Sequence, residues 1–282
     1  VKGASRMADY FIKKNSVYYI NQDIYDNNGV LLLRKGQRIT DEIKNKLERL
    51  GKYDSNKIDH ASDKQSDILA PVTKELSERI NLRNNRIIEK PNEVLSTIIF
   101  ESGKKPWWIY VNALSNYVDW LYTHSIDVAL ISLMMAVELG YSDEELFNIG
   151  LGTLLHDVGK LLIPKSIIQK PESLTDMETT LIRQHCELGR SSLEVFNFPK
   201  EYMDIVMQHH ERLDGSGYPK GIKGEEICRS ARIVMIADAV DAITSYRPYR
   251  EPQTIDAAIK KLRDEKDRYP QEFVSILVNI LG

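Results

Sequence analysis

The chain opens with short β-branched and aromatic runs divided by turn residues. Val17-Tyr18-Tyr19-Ile20 predicts a strand, Asn27-Asn28-Gly29 a turn, and Val30-Leu31-Leu32-Leu33 a second strand. Thr40 then caps a short predicted helix with Ile43, Leu47 and Leu50 on one side, stopped by Gly51. From Asp54 to Gln65 polar residues dominate without a period, which predicts a linker. Val72, Leu76 and Ile80 follow at helical spacing and predict a connecting helix that Pro91 interrupts. A dimer formed through this helix is the sharper reading of it, although no heptad is sustained.

Beyond Pro106 every element reads as helix. Ser142 with Glu145, and Thr175 with Glu178, form capping boxes that start two of them. Pro199 precedes a third, Thr254 caps a fourth, and Pro270 sits where a first-turn proline is tolerated. The run from Ile126 to Leu139 is apolar almost all round, so this helix belongs at the centre of a bundle. The expected fold class is mainly α. A small α+β module over residues 7–60 and a linker helix region over 61–105 precede an all-helical domain over 106–282. The residues before Met7 read as an expression scar.

Composition narrows the classes of function. A formal net charge of -3 argues against a partner that is a polymeric nucleic acid, but leaves room for a small anion held by a few local cations. With 42% apolar residues the chain can build a real core. The only cysteines, Cys186 and Cys228, do not make a disulfide framework. No signal peptide and no apolar run long enough to span a membrane is read, so a cytoplasmic location without membrane contact is expected.

Candidate chemistry gathers in the helical region, which holds five of the six histidines. His156-Asp157 ends an apolar helix, with Gly159 as its expected stop. His185 reads as mid-helix, His209-His210 closes the following helix, Asp238 interrupts the apolar run from Ile233 to Val240, and His124 opens the central helix. Any one of these is ordinarily a hydrogen-bonded core residue, and Asp238 has Arg232 as a simple partner. Together they place so many imidazoles and carboxylates at the inner ends of apolar helices that a metal is the economical partner. The ligand number favours two ions. Histidine mixed with aspartate, without thiolates, points to iron(II) or manganese(II) rather than structural zinc. A glycine-rich loop follows His210 directly, running from Glu211 through Gly217-Tyr218-Pro219 to Gly224. Such a loop brings backbone close to whatever occupies the site, which makes Gly217 and Tyr218 candidate substrate contacts.

The pair His156-Asp157, the run His209-His210-Glu211-Arg212-Leu213-Asp214-Gly215-Ser216-Gly217-Tyr218-Pro219 and the segment Arg247-Pro248-Tyr249-Arg250 resemble the HD-GYP family over roughly residues 120–280. The resemblance implies a helical HD-type bundle and hydrolysis of a cyclic dinucleotide, cyclic di-GMP, to the linear dinucleotide and onward to GMP. It places metal ligands at His124, His156, Asp157, His185, His209, His210 and Asp238. Asp157 would bridge two ions, with His185, His209 and His210 on one and His156 and Asp238 on the other. Basic phosphate contacts fall on Lys160, Arg247 and Arg250, with Asp157 and Lys160 as the catalytic pair. Members with a third metal carry a glutamate where this chain has Trp120, which favours two ions. Asp127 stands where an arginine is common, and Tyr246 where an acidic residue is frequent. The Gly-Tyr-Pro loop is also a candidate site for a protein partner, and the N-terminal module resembles regulatory modules. The rival expectations are an enzyme for another cyclic dinucleotide and a non-catalytic receptor or signalling adaptor.

Overall fold

The computed structural model describes residues 11–14, 17–20, 24–25, 31–33 and 38–39 and, from 69 to 281, all but 104, 248 and 249. The chain divides into two compact units, Val1–Pro71 and Val72–Gly282.

In the first unit, β1 (Phe11–Lys14), β2 (Val17–Ile20) and β5 (Arg38–Ile39) form an antiparallel sheet with β2 in the middle. Phe11 lies opposite Ile20, and Tyr18 opposite Ile39. The expected strand over Val17–Ile20 is therefore present. The second expected strand is seen as β4 (Leu31–Leu33), which pairs with β3 (Ile24–Tyr25) across the predicted turn. The helix expected after Thr40 and the linker expected over 54–65 lie outside the described residues.

The second unit is helical. It comprises α1 (Ala70–Arg79, entering from the preceding residues), α2 (Glu89–Ser102), α3 (Trp108–Tyr117), α4 (Asp119–Glu138), α5 (Asp143–Leu154) and the single turn α6 (Lys165–Ile168). α7 (Asp176–Arg183), α8 (His185–Leu193), α9 (Lys200–Gln208), α10 (Arg229–Thr244), α11 (Ile255–Asp264) and α12 (Gln271–Leu281) complete it.

The region read from sequence as a linker thus contributes, from Val72 on, to the same compact unit as the rest. Leu76 and Ile80 are buried there. Pro91 does not interrupt this helix. α1 ends earlier, where Asn81 turns left-handed (φ 54°) and the amides of Asn81 and Leu82 reach back to the carbonyls of Glu78 and Ser77, a Schellman closure. Pro91 instead sits in the first turn of α2, where a missing amide costs nothing.

α4 is the axis of the bundle and packs on α2, α3, α5, α10 and α12. Ile126, Val128, Leu130, Ile131, Leu133 and Met135 are all fully buried on it. Each such side chain contributes about 1.5–3 kcal/mol of transfer free energy. Contrary to the reading of no membrane-length run, residues Trp120–Glu138 are long and apolar enough to cross a bilayer, yet 78% of that stretch is buried inside the unit as its core helix. Gly140 (φ 74°) ends α4 with the same closure that Asn81 gives α1. Both expected capping boxes are formed, and Thr254 accepts from the Ala257 amide at the start of α11.

Candidate metal centre

Five elements deliver their polar ends to one place. His124 stands in the second turn of α4, not at its opening, because the helix begins at Asp119. His156 and Asp157 follow the end of α5, and Lys160 lies in the 3-10 turn Val158–Leu162 that continues the chain. Gly159 is accordingly no stop. A Cβ there would lie 1.9 Å from the His185 carbonyl oxygen, so glycine is required for the turn to touch α8. His185 is the first residue of α8 rather than the middle of a long helix, since the chain breaks at Gln184 between α7 and α8. His209 and His210 follow α9, and Asp238 lies in α10.

The donor atoms form two groups, each drawn together within 4.8 Å: Asp157, His185, His209 and His210 in one, and His124, His156 and Asp238 in the other. Asp157 stands between them. Its Oδ1 is 3.4 Å from His185 Nε2 and 4.0 Å from His209 Nε2. Its Oδ2 is 3.4 Å from His124 Nε2, 3.5 Å from His156 Nε2 and 2.6 Å from Lys160 Nζ. Asp238 approaches His124 Nε2 at 3.3 Å and His210 Nδ1 at 3.5 Å.

The hydrogen bonds fix which ring nitrogen faces the cluster. Nδ1 of His156 donates to the Thr153 carbonyl at 2.6 Å, and Nδ1 of His185 to that of Ile182 at 2.7 Å. Nδ1 of His209 is held 3.0 Å from the Val206 carbonyl. A neutral imidazole that donates from Nδ1 presents a lone pair at Nε2. Three such lone pairs therefore converge. Nε2 of His185 and His209 face each other at 3.3 Å with no proton to share, and His156 Nε2 and Asp157 Oδ1 are buried without a hydrogen-bond partner. Acceptors facing acceptors in a buried pocket are satisfied by a Lewis acid, so the residues present fit divalent metal ions.

The electrostatics agree. Burial, above all, pushes His156, His209 and His210 below the usual imidazole range and His185 down to about 4, so these rings are neutral. Burial alone would raise Asp157, but the Lys160 ammonium, ahead of the surrounding imidazoles, holds its carboxyl well below the ordinary range. His124 differs. Burial disfavours its charge, yet hydrogen bonds to Asp157, Asp238 and Asp241 overcome this and raise it to about 10. Its Nδ1 meets Asp241 Oδ2 at 2.6 Å, a carboxylate that the sequence reading did not single out. Cys186 is buried beside His185, and burial pushes its thiol up, which keeps it from acting as a thiolate ligand.

The glycine-rich loop closes over His210. The Tyr218 ring lies 4.7 Å from the His210 ring at an interplanar angle of 33°, with the Arg183 guanidinium on it at 5.2 Å. The Tyr218-Pro219 peptide is cis. Gly217 is forced by space, because a Cβ would come within 2.4 Å of the Glu211 and Arg212 backbone. Glu211, also missed from sequence, is fully buried and accepts from the Lys220 amide at 2.8 Å, tying the loop's two ends. Of the basic candidates, Lys160 reaches Asp157, and Arg247 brings Nη2 within 3.1 Å of His124 Nδ1. Arg247 is buried, pairs with Asp241 at 3.0 Å and lies 3.9 Å over the Trp120 ring. Arg250 donates to the Ala242 carbonyl.

The HD domain family matches residues 109–272. A cyclic di-GMP phosphodiesterase of Pseudomonas aeruginosa is 30% identical over 211 residues, 74% of this chain and 48% of its own length. A 3′3′-cGAMP-specific phosphodiesterase of Vibrio cholerae is 36% identical over 156 residues, 54% of this chain and 36% of its own. The chain thus spans half the length, or less, of these relatives. In three dimensions, an HD-GYP-type protein from Bdellovibrio bacteriovorus aligns over 98% of this chain and 95% of its own with a TM-score of 0.54 at 20% identity, a likeness of fold. With the family's span covering most of the helical unit, and the Gly-Tyr-Pro stretch seated directly behind His209-His210, the chain belongs to the HD-domain family and to its HD-GYP members.

Proposed function

We propose that this chain hydrolyses a phosphodiester bond of a cyclic dinucleotide, cyclic di-GMP first, with two divalent metal ions held by the paired donor groups. The observation that carries the reading is Asp157, whose two carboxylate oxygens face two separate sets of imidazoles. In this reading His185, His209 and His210 serve one ion, His124, His156 and Asp238 the other, and Asp157 both. Such ions, when bound, lower the pKa of water toward neutrality and offset charge on a phosphoryl group. A ligand set of imidazole and carboxylate without thiolate favours iron(II) or manganese(II).

The chain's own residues do the rest. His156 and His185, already neutral with fixed tautomers, release no proton on loading, whereas His124 must give one up. Lys160, 2.6 Å from Asp157, is placed to take a phosphoryl oxygen as negative charge gathers there. Tyr218, stacked on His210, walls the site on the loop side. Addition of water across one phosphodiester bond leaves a 5′-phosphate and a free 3′-hydroxyl on a linear dinucleotide, and a second round yields GMP.

The test is chromatography of products after protein purified without oxygen is loaded with iron(II) or manganese(II) and given cyclic di-GMP. Linear dinucleotide or GMP that disappears with chelator, and with Asp157→Ala, is the expected result. The similarity to a cGAMP-specific enzyme favours the mixed cyclic dinucleotide as the second substrate to try. Absence of product from both substrates, with metal bound, refutes hydrolysis and leaves a receptor.

A further inference from the structure

We propose that Arg79, the last residue of α1, is a positioning residue that holds His124 in its ligating orientation through Asp241. The inference rests on the two-ion reading of the site and concerns a residue outside the span matched by the family.

The Arg79 side chain is largely buried, with 15% of it exposed. Its Nη2 donates to Asp127 Oδ2 at 2.6 Å and its Nη1 to Thr244 Oγ1 at 2.9 Å. The same Nη1 lies 2.8 Å from Asp241 Oδ1, an ion pair without hydrogen-bond alignment. Asp241 is fully buried and divides its oxygens. Oδ2 takes His124 Nδ1 at 2.6 Å and Arg247 at 3.0 Å, and Oδ1 faces Arg79.

A carboxylate gripped at one oxygen can pivot about that contact. Gripped at both it cannot, and the imidazole it holds is fixed as well. Two guanidinium groups, Arg79 and Arg247, contact the buried carboxylate of Asp241, and Arg79 also contacts the carboxyl of Asp127. Without Arg79, Oδ1 of Asp241 has no cation. Outer partners of a ligating histidine commonly change metal affinity about 10–100-fold when lost. The donor set that suffers is the one containing His124, while His185 and His209 of the other set stay anchored to backbone carbonyls.

The experiment uses the full chain and counts manganese(II) by elemental analysis, with apparent Kd values from titration. Wild type is expected to hold two ions. Arg79→Gln is expected to keep one and to bind the second about 10–100-fold more weakly. Arg79→Lys should recover part of the loss, since a cation remains without the fork that spans Asp127 and Asp241. Asp127→Asn should leave both ions bound, which separates positioning of His124 from simple neutralisation of Asp127. The double variant Arg79→Gln/Asp127→Asn leaves no unpaired carboxylate at position 127, which removes one cause of misfolding in the single variant, and it should still bind the second ion weakly. Wild-type affinity for both ions in the Arg79→Gln or the double variant overturns the inference. Two ions on wild type without turnover of cyclic dinucleotide would count against the proposed activity alone. No ion on wild type would remove the site and this inference together.

Discussion

Gly159→Ala tests whether the turn carrying Asp157 and Lys160 must touch the helix carrying His185. A Cβ on Gly159 would stand 1.9 Å from the His185 carbonyl oxygen, 2.5 Å from the Gly189 nitrogen and 2.8 Å from the His185 carbonyl carbon. Ordinary contact begins at 3.4 Å, so the two segments must separate by 3.4 − 1.9 = 1.5 Å along the shortest contact. All three atoms are backbone, so no rotamer change relieves the clash. Overpacking of this kind costs about 3 kcal/mol, the upper part of the usual range. At ~2–4 °C per kcal/mol for a unit of this size, the melting temperature should fall by about 6–12 °C. His185 Nε2 would also move away from Asp157 Oδ1, from which it is 3.4 Å. Misplacement of about 1 Å can cost on the order of 10²-fold in rate. Thermal melting by circular dichroism, metal titration and turnover together make the assay. Wild-type melting with wild-type metal affinity would refute the claim that this close approach shapes the site.

Two other outcomes follow from the same geometry. Metal at 100 times its Kd stabilises the fold by about 2.7 kcal/mol, so chelator should lower the melting temperature by ~5–11 °C; an unchanged melt would mean that the facing lone pairs are satisfied otherwise. Glu211→Ala should free the glycine-rich loop, because the buried carboxylate accepts the Lys220 amide at 2.8 Å; a loss of about 1–3 kcal/mol and faster amide exchange at Lys220 are expected, and unaltered exchange would contradict the anchoring role.

Much of the site was legible because most of its residues sit at helix ends that capping and composition reveal. His156-Asp157, His209-His210 and Asp238 were found in apolar runs, and those runs are buried elements. What escaped is long-range. The break between α7 and α8 has no glycine or proline to announce it, and packing against the 158–162 turn decides it. Gly159 looked like a helix stop, whereas its reason is a carbonyl 26 positions away in sequence. Asn81 was overlooked as a terminator beside the more conspicuous Pro91. Asp241 reaches His124 across 117 positions, and Arg79 reaches Thr244 across 165, which no local pattern encodes.

The four buried histidines with a fixed Nδ1 show why one of them needs a carboxylate. His156, His185 and His209 lie just past helix ends, and their Nδ1 atoms take carbonyls from the last turns of α5, α7 and α9. At a helix end these carbonyls are not all locked into the regular ladder. Even where one takes a capping amide, as Thr153 takes that of His156, a second lone pair remains to orient a ring and set its tautomer. His124 stands inside α4, where backbone carbonyls are committed to amides four residues on. Its Nδ1 must find an acceptor on another element, and Asp241 of α10 provides it. A buried carboxylate in turn demands cations, and Arg79 and Arg247 supply them. The site therefore has a rigid half built from helix termini and a half that depends on side-chain charge. Loss of metal should begin at the second half, where one arginine from the connecting helix completes the balance.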